Sequence, residues 1–199
     1  MGIAIFGGTF DPIHMGHLII AEQAYNDFDL EQIIFMPAGQ PPHKANSNLT
    51  RGKHRLEMVK LAVSDNQHFN YSRLEFKKRG KSYTVDTLDY MKELYPDREI
   101  SFLIGADSLL DIFNWRRPEY LLENASFIVA RRPDFSLKDI FLDERFREYR
   151  NSISLLDNSL IDISSSQIRA LYRKNKSVRY LILPVIKRYV EEHNLYRGD

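Results

Sequence analysis

Short runs of apolar and β-branched residues recur along the chain, each bounded by turn-forming residues: Ile3 to Phe6, Gln32 to Met36, Ile100 to Ile104, Phe127 to Ala130 and Ile153 to Leu156. Runs of this length with no polar face read as buried strands. Between them apolar residues follow helical spacing, as at Leu18, Ala21 and Tyr25, at Leu56, Val59 and Val63, and at Val85, Leu88 and Met91. Strands that are apolar on both sides and alternate with helices need a helical layer on each face. That requirement predicts an α/β fold with a doubly wound parallel sheet. In such sheets ligands bind beyond the carboxyl ends of the strands, where a strand turns into a helix N-terminus. The turn after Phe6 is therefore the first place to look for chemistry.

Towards the end of the chain the pattern is helical. Ser164 and Gln167 form a capping-box pair ahead of Ile168, Leu171 and Tyr172. Pro184 suits the first turn of a helix whose Val185, Ile186, Tyr189 and Val190 are expected to pack on the body. A length of 199 residues fits one domain, 1–199, with this helical portion starting at about residue 164. The stretch Pro133 to Arg150 is charged and aromatic without a clean period and reads as a surface excursion or short helix.

Composition narrows the function classes. Lys and Arg total 28 against 27 Asp and Glu, so general nucleic-acid binding is not indicated. No apolar run reaches the roughly 20 residues of a membrane span, and no leader pattern is visible, which predicts a cytoplasmic protein with no membrane partner. A homo-oligomer is compatible with all of this. With no cysteine in the chain, disulfides, thiolate nucleophiles and thiolate metal sites drop out.

Strand Ile3 to Phe6 runs straight into Gly7-Gly8-Thr9-Phe10-Asp11-Pro12-Ile13-His14-Met15-Gly16-His17. Gly7 and Gly8 allow a ligand close to the main chain, and Pro12 stiffens the turn. His14 and His17, three apart at a helix start, share one face beside unpaired backbone N–H groups and can aim at one anion. Gly16 removes a side chain where a nucleotide would lie. Either piece alone is weak evidence: a glycine pair after a strand is common, and two such His could be surface residues or half of a zinc site. Zinc would want a third ligand at helical spacing, which is lacking, so no protein metal site is predicted.

Taken in order, the segment resembles the HxGH hallmark of the nucleotidyltransferase superfamily, in the GGTFDPIHxGH form of the bacterial nicotinate-nucleotide adenylyltransferases, and the resemblance extends over nearly the whole chain. It implies a Rossmann-like nucleotidyltransferase fold and adenylyl transfer from ATP to nicotinate mononucleotide, giving nicotinate adenine dinucleotide and pyrophosphate, in NAD biosynthesis. It implies ATP contacts from Gly7, Gly8, Thr9, Phe10, His14, Gly16 and His17. A magnesium ion would travel with the ATP, held by phosphates and water.

Three further segments extend the resemblance. Ile163-Ser164-Ser165-Ser166-Gln167-Ile168-Arg169 is similar to the family's ISSTxIR motif, with Ser166 where Thr is usual. A hydroxyl-rich helix start with Arg169 one turn in is an anion cradle on its own physics, although the serines could simply start the helix. Gly105 and Asp107 follow the strand Ile100 to Ile104, where Asp107 could accept from ribose hydroxyls or cap a helix. On the acceptor side the resemblance implies that Lys44 attends the mononucleotide phosphate. Tyr83 and Thr84 lie where the nicotinate carboxylate is bound, with Thr84 a candidate helix cap. Trp115, followed by Arg116, stands where the pyridine ring is stacked. His14, His17, Lys44 and Arg169 are the expected catalytic set. The alternatives are the same chemistry on nicotinamide mononucleotide or phosphopantetheine, and a non-catalytic nucleotide sensor or DNA-binding regulator.

Overall fold

The computed structural model describes residues 1–39, 49–77, 83–131 and 142–197. Six parallel strands form one sheet: β1 (Gly2–Gly8), β2 (Leu30–Pro37), β3 (Phe69–Tyr71), β4 (Glu99–Gly105), β5 (Ser126–Ala130) and β6 (Ile153–Leu156), in the order β3-β2-β1-β4-β5-β6. Ile5 of β1 lies between Ile34 of β2 and Phe102 of β4. The five expected strands are all present. β3 was not expected: it is three residues long and buries only Phe69, so no apolar run marks it.

Helices cover both faces, as the two-sided apolar strands require. On one face α1 (Met15–Asp27) and α2 (Gly52–Val63) pack with the C-terminal helices α7 (Ser165–Arg173) and α8 (Pro184–Glu192), around Ala4, Phe6, Phe35, Val59 and Ile186. On the other face α4 (Thr84–Leu94), α5 (Ala106–Leu110) and α6 (Pro118–Asn124) pack around Ile3, Ile5, Leu88, Leu109 and Phe127. A single turn, α3 (Leu74–Lys77), precedes α4. Among the described residues no helix is long and apolar enough to cross a membrane.

Two expectations need correction. Val185 does not pack on the body: it is 36% exposed, whereas Ile186 and Val190 are fully buried, because α8 lays down the i, i+4 pair and turns i−1 outward. Thr84 does not cap α4; Tyr83 holds the cap position and Thr84 is the first helical residue. Within 133–150, residues 133–141 lie outside the described set, and the remainder forms a short helix, one of the two forms expected. Glu144–Ser152 is a 3-10 helix that drives Phe146 completely into the second core.

Candidate functional site

The order of the strands fixes where a ligand can go. The chain leaves β1 towards β2 on one side and reaches β4 on the other, so the connections after β1 and β4 diverge and leave a crevice at their carboxyl ends. The crevice is a cavity of about 550 Å³ lined by Gly7, Gly8, Thr84, Asp107, Trp115 and Arg116, with Tyr83 also at its wall. That volume falls within the range of small-molecule sites. The expected acceptor residues Tyr83, Thr84, Trp115 and Arg116 are thus brought together with the two glycines and Asp107. The Arg116 guanidinium lies 4.8 Å from the centroid of the Tyr83 ring, which orients both at the mouth. Gly105 caps α5 and Asp107 sits in its first turn. Lys44 lies outside the described residues.

Gly7 and Gly8 extend β1 by two residues past the predicted end, pairing with Met36 and Pro37. Their roles differ. A side chain on Gly7 would meet nothing within 4 Å and would project into open space, while a Cβ on Gly8 would lie 2.8 Å from the Phe10 ring. Phe10 takes a left-handed backbone conformation, φ 48°, and is buried against Phe6, Phe35 and His17. A non-glycine residue held there is strained, and the packing of its ring keeps it in place.

The two histidines sit at the other end of this loop. His14 is the N-cap of α1 and His17 lies in its first turn. Their rings stack with centroids 3.6 Å apart, and His17 makes edge contacts with Phe6 and Phe10. The main-chain N–H of His14 donates to His17 Nδ1 at 3.3 Å, which places the proton of the neutral His17 ring on Nε2. Gly16 has a structural task inside the loop: a Cβ there would stand 3.2 Å from the His14 ring, so its absence makes room for the imidazole.

The second motif meets the first here. Ser164 and Gln167 form the expected capping box, Ser164 Oγ accepting from Gln167 N–H at 3.2 Å and Gln167 Oε1 accepting from Ser164 N–H at 2.9 Å. Ser165 Oγ donates to the Pro12 carbonyl, and Arg169 Nη1 donates to the Asp11 carbonyl at 2.7 Å while Nη2 donates to Ser166 Oγ at 3.3 Å. Ile163, just before the cap, packs against the first core. The N-terminus of α7, with its positive dipole end, is therefore fastened to the His14–His17 turn.

Four residues that the sequence reading passed over organise this junction. Arg55, 1% exposed, donates to the main-chain carbonyls of Thr9 at 2.8 Å, Gly39 at 3.2 Å and Thr50 at 3.0 Å. Burial lowers its pKa, and the charge of Asp11 opposes that. Asp11, 2% exposed, accepts from the Thr50 N–H and from the Tyr196 hydroxyl. Glu75, which reaches the cavity wall, accepts from the Gly39 N–H at 3.0 Å. A signal for Arg55 existed: it lies four residues before Val59 and seven before Ala62, on the buried face of α2.

Comparison with known proteins agrees with the geometry. The cytidylyltransferase-like family model matches residues 5–171. A protein named probable nicotinate-nucleotide adenylyltransferase from Desulfitobacterium hafniense is 46% identical over 198 residues, spanning 98% of this chain and 95% of its own length. The chain belongs to the nicotinate-nucleotide adenylyltransferase family. A further member with that printed name, from Lachnoclostridium phytofermentans, is 38% identical over 98% of both chains. Among solved structures, the Plasmodium falciparum nicotinic acid mononucleotide adenylyltransferase complexed with NaAD superimposes with a TM-score of 0.81 at 26% identity. It covers 98% of this chain and 97% of its own. Family membership accounts for the fold as well as the motif, since the superposition covers nearly the whole chain.

Proposed function

We propose that the chain transfers the adenylyl group of ATP to nicotinate mononucleotide, releasing pyrophosphate and nicotinate adenine dinucleotide, a step of NAD biosynthesis. The observation that carries this reading is a junction. The His14–His17 turn and the N-terminus of α7 are joined through Asp11 and Pro12, and the same loop begins at Gly7 in the wall of a cavity shared by Thr84 and Trp115. Donor phosphates and acceptor ring would then lie at opposite ends of one short loop.

The acceptor phosphate is already an anion, so no side chain has to be deprotonated to make the nucleophile. Its oxygen attacks the α-phosphorus of ATP, a new P–O bond forms, and the bond to the β-phosphate breaks with pyrophosphate leaving. The work left to the protein is positioning and charge stabilisation. His17, donating from Nε2, and His14 beside it address the α-phosphate. Arg169, with Ser164, Ser165 and Ser166 at the start of α7, holds the leaving phosphates. Asp107 takes a ribose hydroxyl, Trp115 stacks on the pyridine ring, and the first turn of α4 at Tyr83 and Thr84 receives the carboxylate, with Arg116 at the rim. Lys44 completes the set on the acceptor phosphate.

Magnesium fits this donor set as a companion of ATP. Among the described residues no three His, Asp or Glu side chains converge to hold an ion, so it would be held by phosphate oxygens and water and would neutralise charge on the leaving group.

The reading is tested by kcat/KM on three acceptors: nicotinate mononucleotide, nicotinamide mononucleotide and phosphopantetheine. The first is expected to exceed the second by at least about tenfold, the scale of one lost charge-assisted hydrogen bond. Equal values for acid and amide would refute the acceptor assignment, and preference for phosphopantetheine would refute the role of Trp115.

A further inference from the structure

The turn after α8 contains two residues in the left-handed region, Asn194 at φ 50° and Tyr196 at φ 64°. For a non-glycine residue such a conformation costs on the order of 1 kcal/mol and persists only where other contacts hold it. At Tyr196 the contact is with the phosphate loop: its hydroxyl donates to Asp11 Oδ1 at 2.7 Å. The Tyr196 ring also lies 5.9 Å from that of Tyr172 on α7, the helix that carries Arg169.

Asp11 is the point where these elements meet. One carboxylate oxygen takes Tyr196, the other takes the Thr50 N–H at 3.2 Å, and the main-chain carbonyl takes Arg169 at 2.7 Å. The neighbouring Arg55 guanidinium holds the Thr9 carbonyl two residues earlier. With its side chain tied at both oxygens, Asp11 is tethered at its Cα, and the carbonyl that receives Arg169 is restrained with it. Burial, and then the charge of Asp11, raise the pKa of the Tyr196 phenol far above its ordinary value, so its proton stays in place for donation.

We propose that Tyr196 is a positioning residue for adenylyl transfer. By holding the Asp11 side chain it fixes the carbonyl that aims Arg169 at the leaving phosphates, without touching substrate itself. The inference rests on the assignment of Arg169 to those phosphates given above. Small misplacements of a charge-stabilising group cost one to two orders of magnitude in rate, so removal of this one hydroxyl should cost about tenfold.

The test is steady-state pyrophosphate release by Tyr196→Phe, Arg169→Ala and the double variant, with Leu195→Ala as control. Each is assayed well below its own Tm. Leu195 packs against the core beside Tyr196, and its truncation weakens the segment without altering the Asp11 contact. The expected result is a kcat for Tyr196→Phe about tenfold below wild type, a KM for nicotinate mononucleotide within about twofold, and no further loss when Arg169 is already Ala. Leu195→Ala should lower Tm and keep kcat. A Tyr196→Phe kcat within twofold of wild type overturns the proposal. So does the same fractional loss in the Arg169→Ala background, or an equal kcat loss from Leu195→Ala. Full activity in Arg169→Ala alone would instead overturn the assignment of Arg169.

Discussion

The imidazoles of His14 and His17 stack with their centroids 3.6 Å apart and their planes 25° apart, and the His14 main-chain N–H fixes the ring of its partner through Nδ1. Contacts within the protein hold the pair, so little rotamer freedom is left to lose on binding. Preorganised donors of this kind act on charge that develops in the transition state.

His17→Ala is therefore expected to lower kcat by roughly a hundredfold or more, and His14→Ala by a similar or somewhat smaller factor. Because Nε2 is the donor, His17→Gln, whose amide reaches the Nε2 position, should retain more turnover than His17→Asn, which reaches only the Nδ1 position. Near-normal kcat in a folded His17→Ala protein would remove the histidine from the mechanism.

The neighbouring glycines should respond in opposite ways. Gly7→Val adds a side chain into open space on a strand, so stability should hold or rise by up to about 1 kcal/mol. The same side chain projects into the cavity region and should raise substrate KM at least about tenfold. Gly8→Ala places a methyl 2.8 Å from a buried Phe10 ring and should cost about 1–3 kcal/mol of stability. Thermal melts alongside substrate titrations separate the two, and a destabilised Gly7→Val beside a neutral Gly8→Ala would reverse the assignment.

Acid stability offers an independent check at the α2–α8 contact. His54 shares a hydrogen bond with the Tyr189 hydroxyl at 3.0 Å and faces His193 at 5.2 Å between centroids. Its pKa is lowered by burial first, then by His193, Lys53 and Arg51. A lowered folded pKa means that the unfolded chain takes the proton more readily, so stability falls as pH drops through about 6.5 and below. His54→Gln should flatten the decline in Tm between about pH 7 and pH 5. An unchanged slope would exclude His54 as a source of it.

Tyr172 gives a prediction of the opposite kind. Its hydroxyl is buried with no hydrogen-bond partner among the described residues, and burial raises its pKa to about 12. Removing a polar atom that gains nothing in the folded state is neutral or favourable. Tyr172→Phe should match or exceed wild-type stability, by up to about 1 kcal/mol, as measured by urea unfolding. A loss of that size would point to a partner for the hydroxyl.

Much of this was legible in the chain because it rests on local pattern. Two-sided apolar strands required helices on both faces, and the Ser164–Gln167 pair announced the start of α7. Three kinds of information were not local. β3 is defined by pairing with β2 rather than by its own residues. Gly16 serves the His14 ring, which only the folded loop reveals. Arg55, Asp11 and Tyr196 are separated along the chain and meet only through tertiary packing, although Arg55 lay on the apolar face of α2. A charged residue on such a face is better read as a buried anchor than as an error in the pattern.

The most direct measurement is formation of pyrophosphate and a dinucleotide from ATP and nicotinate mononucleotide with the purified chain and magnesium. The expected result is equimolar pyrophosphate and nicotinate adenine dinucleotide, with turnover lost in His17→Ala. No pyrophosphate with any pyridine mononucleotide, from a folded protein that still binds ATP, would contradict adenylyl transfer and leave a nucleotide sensor in its place.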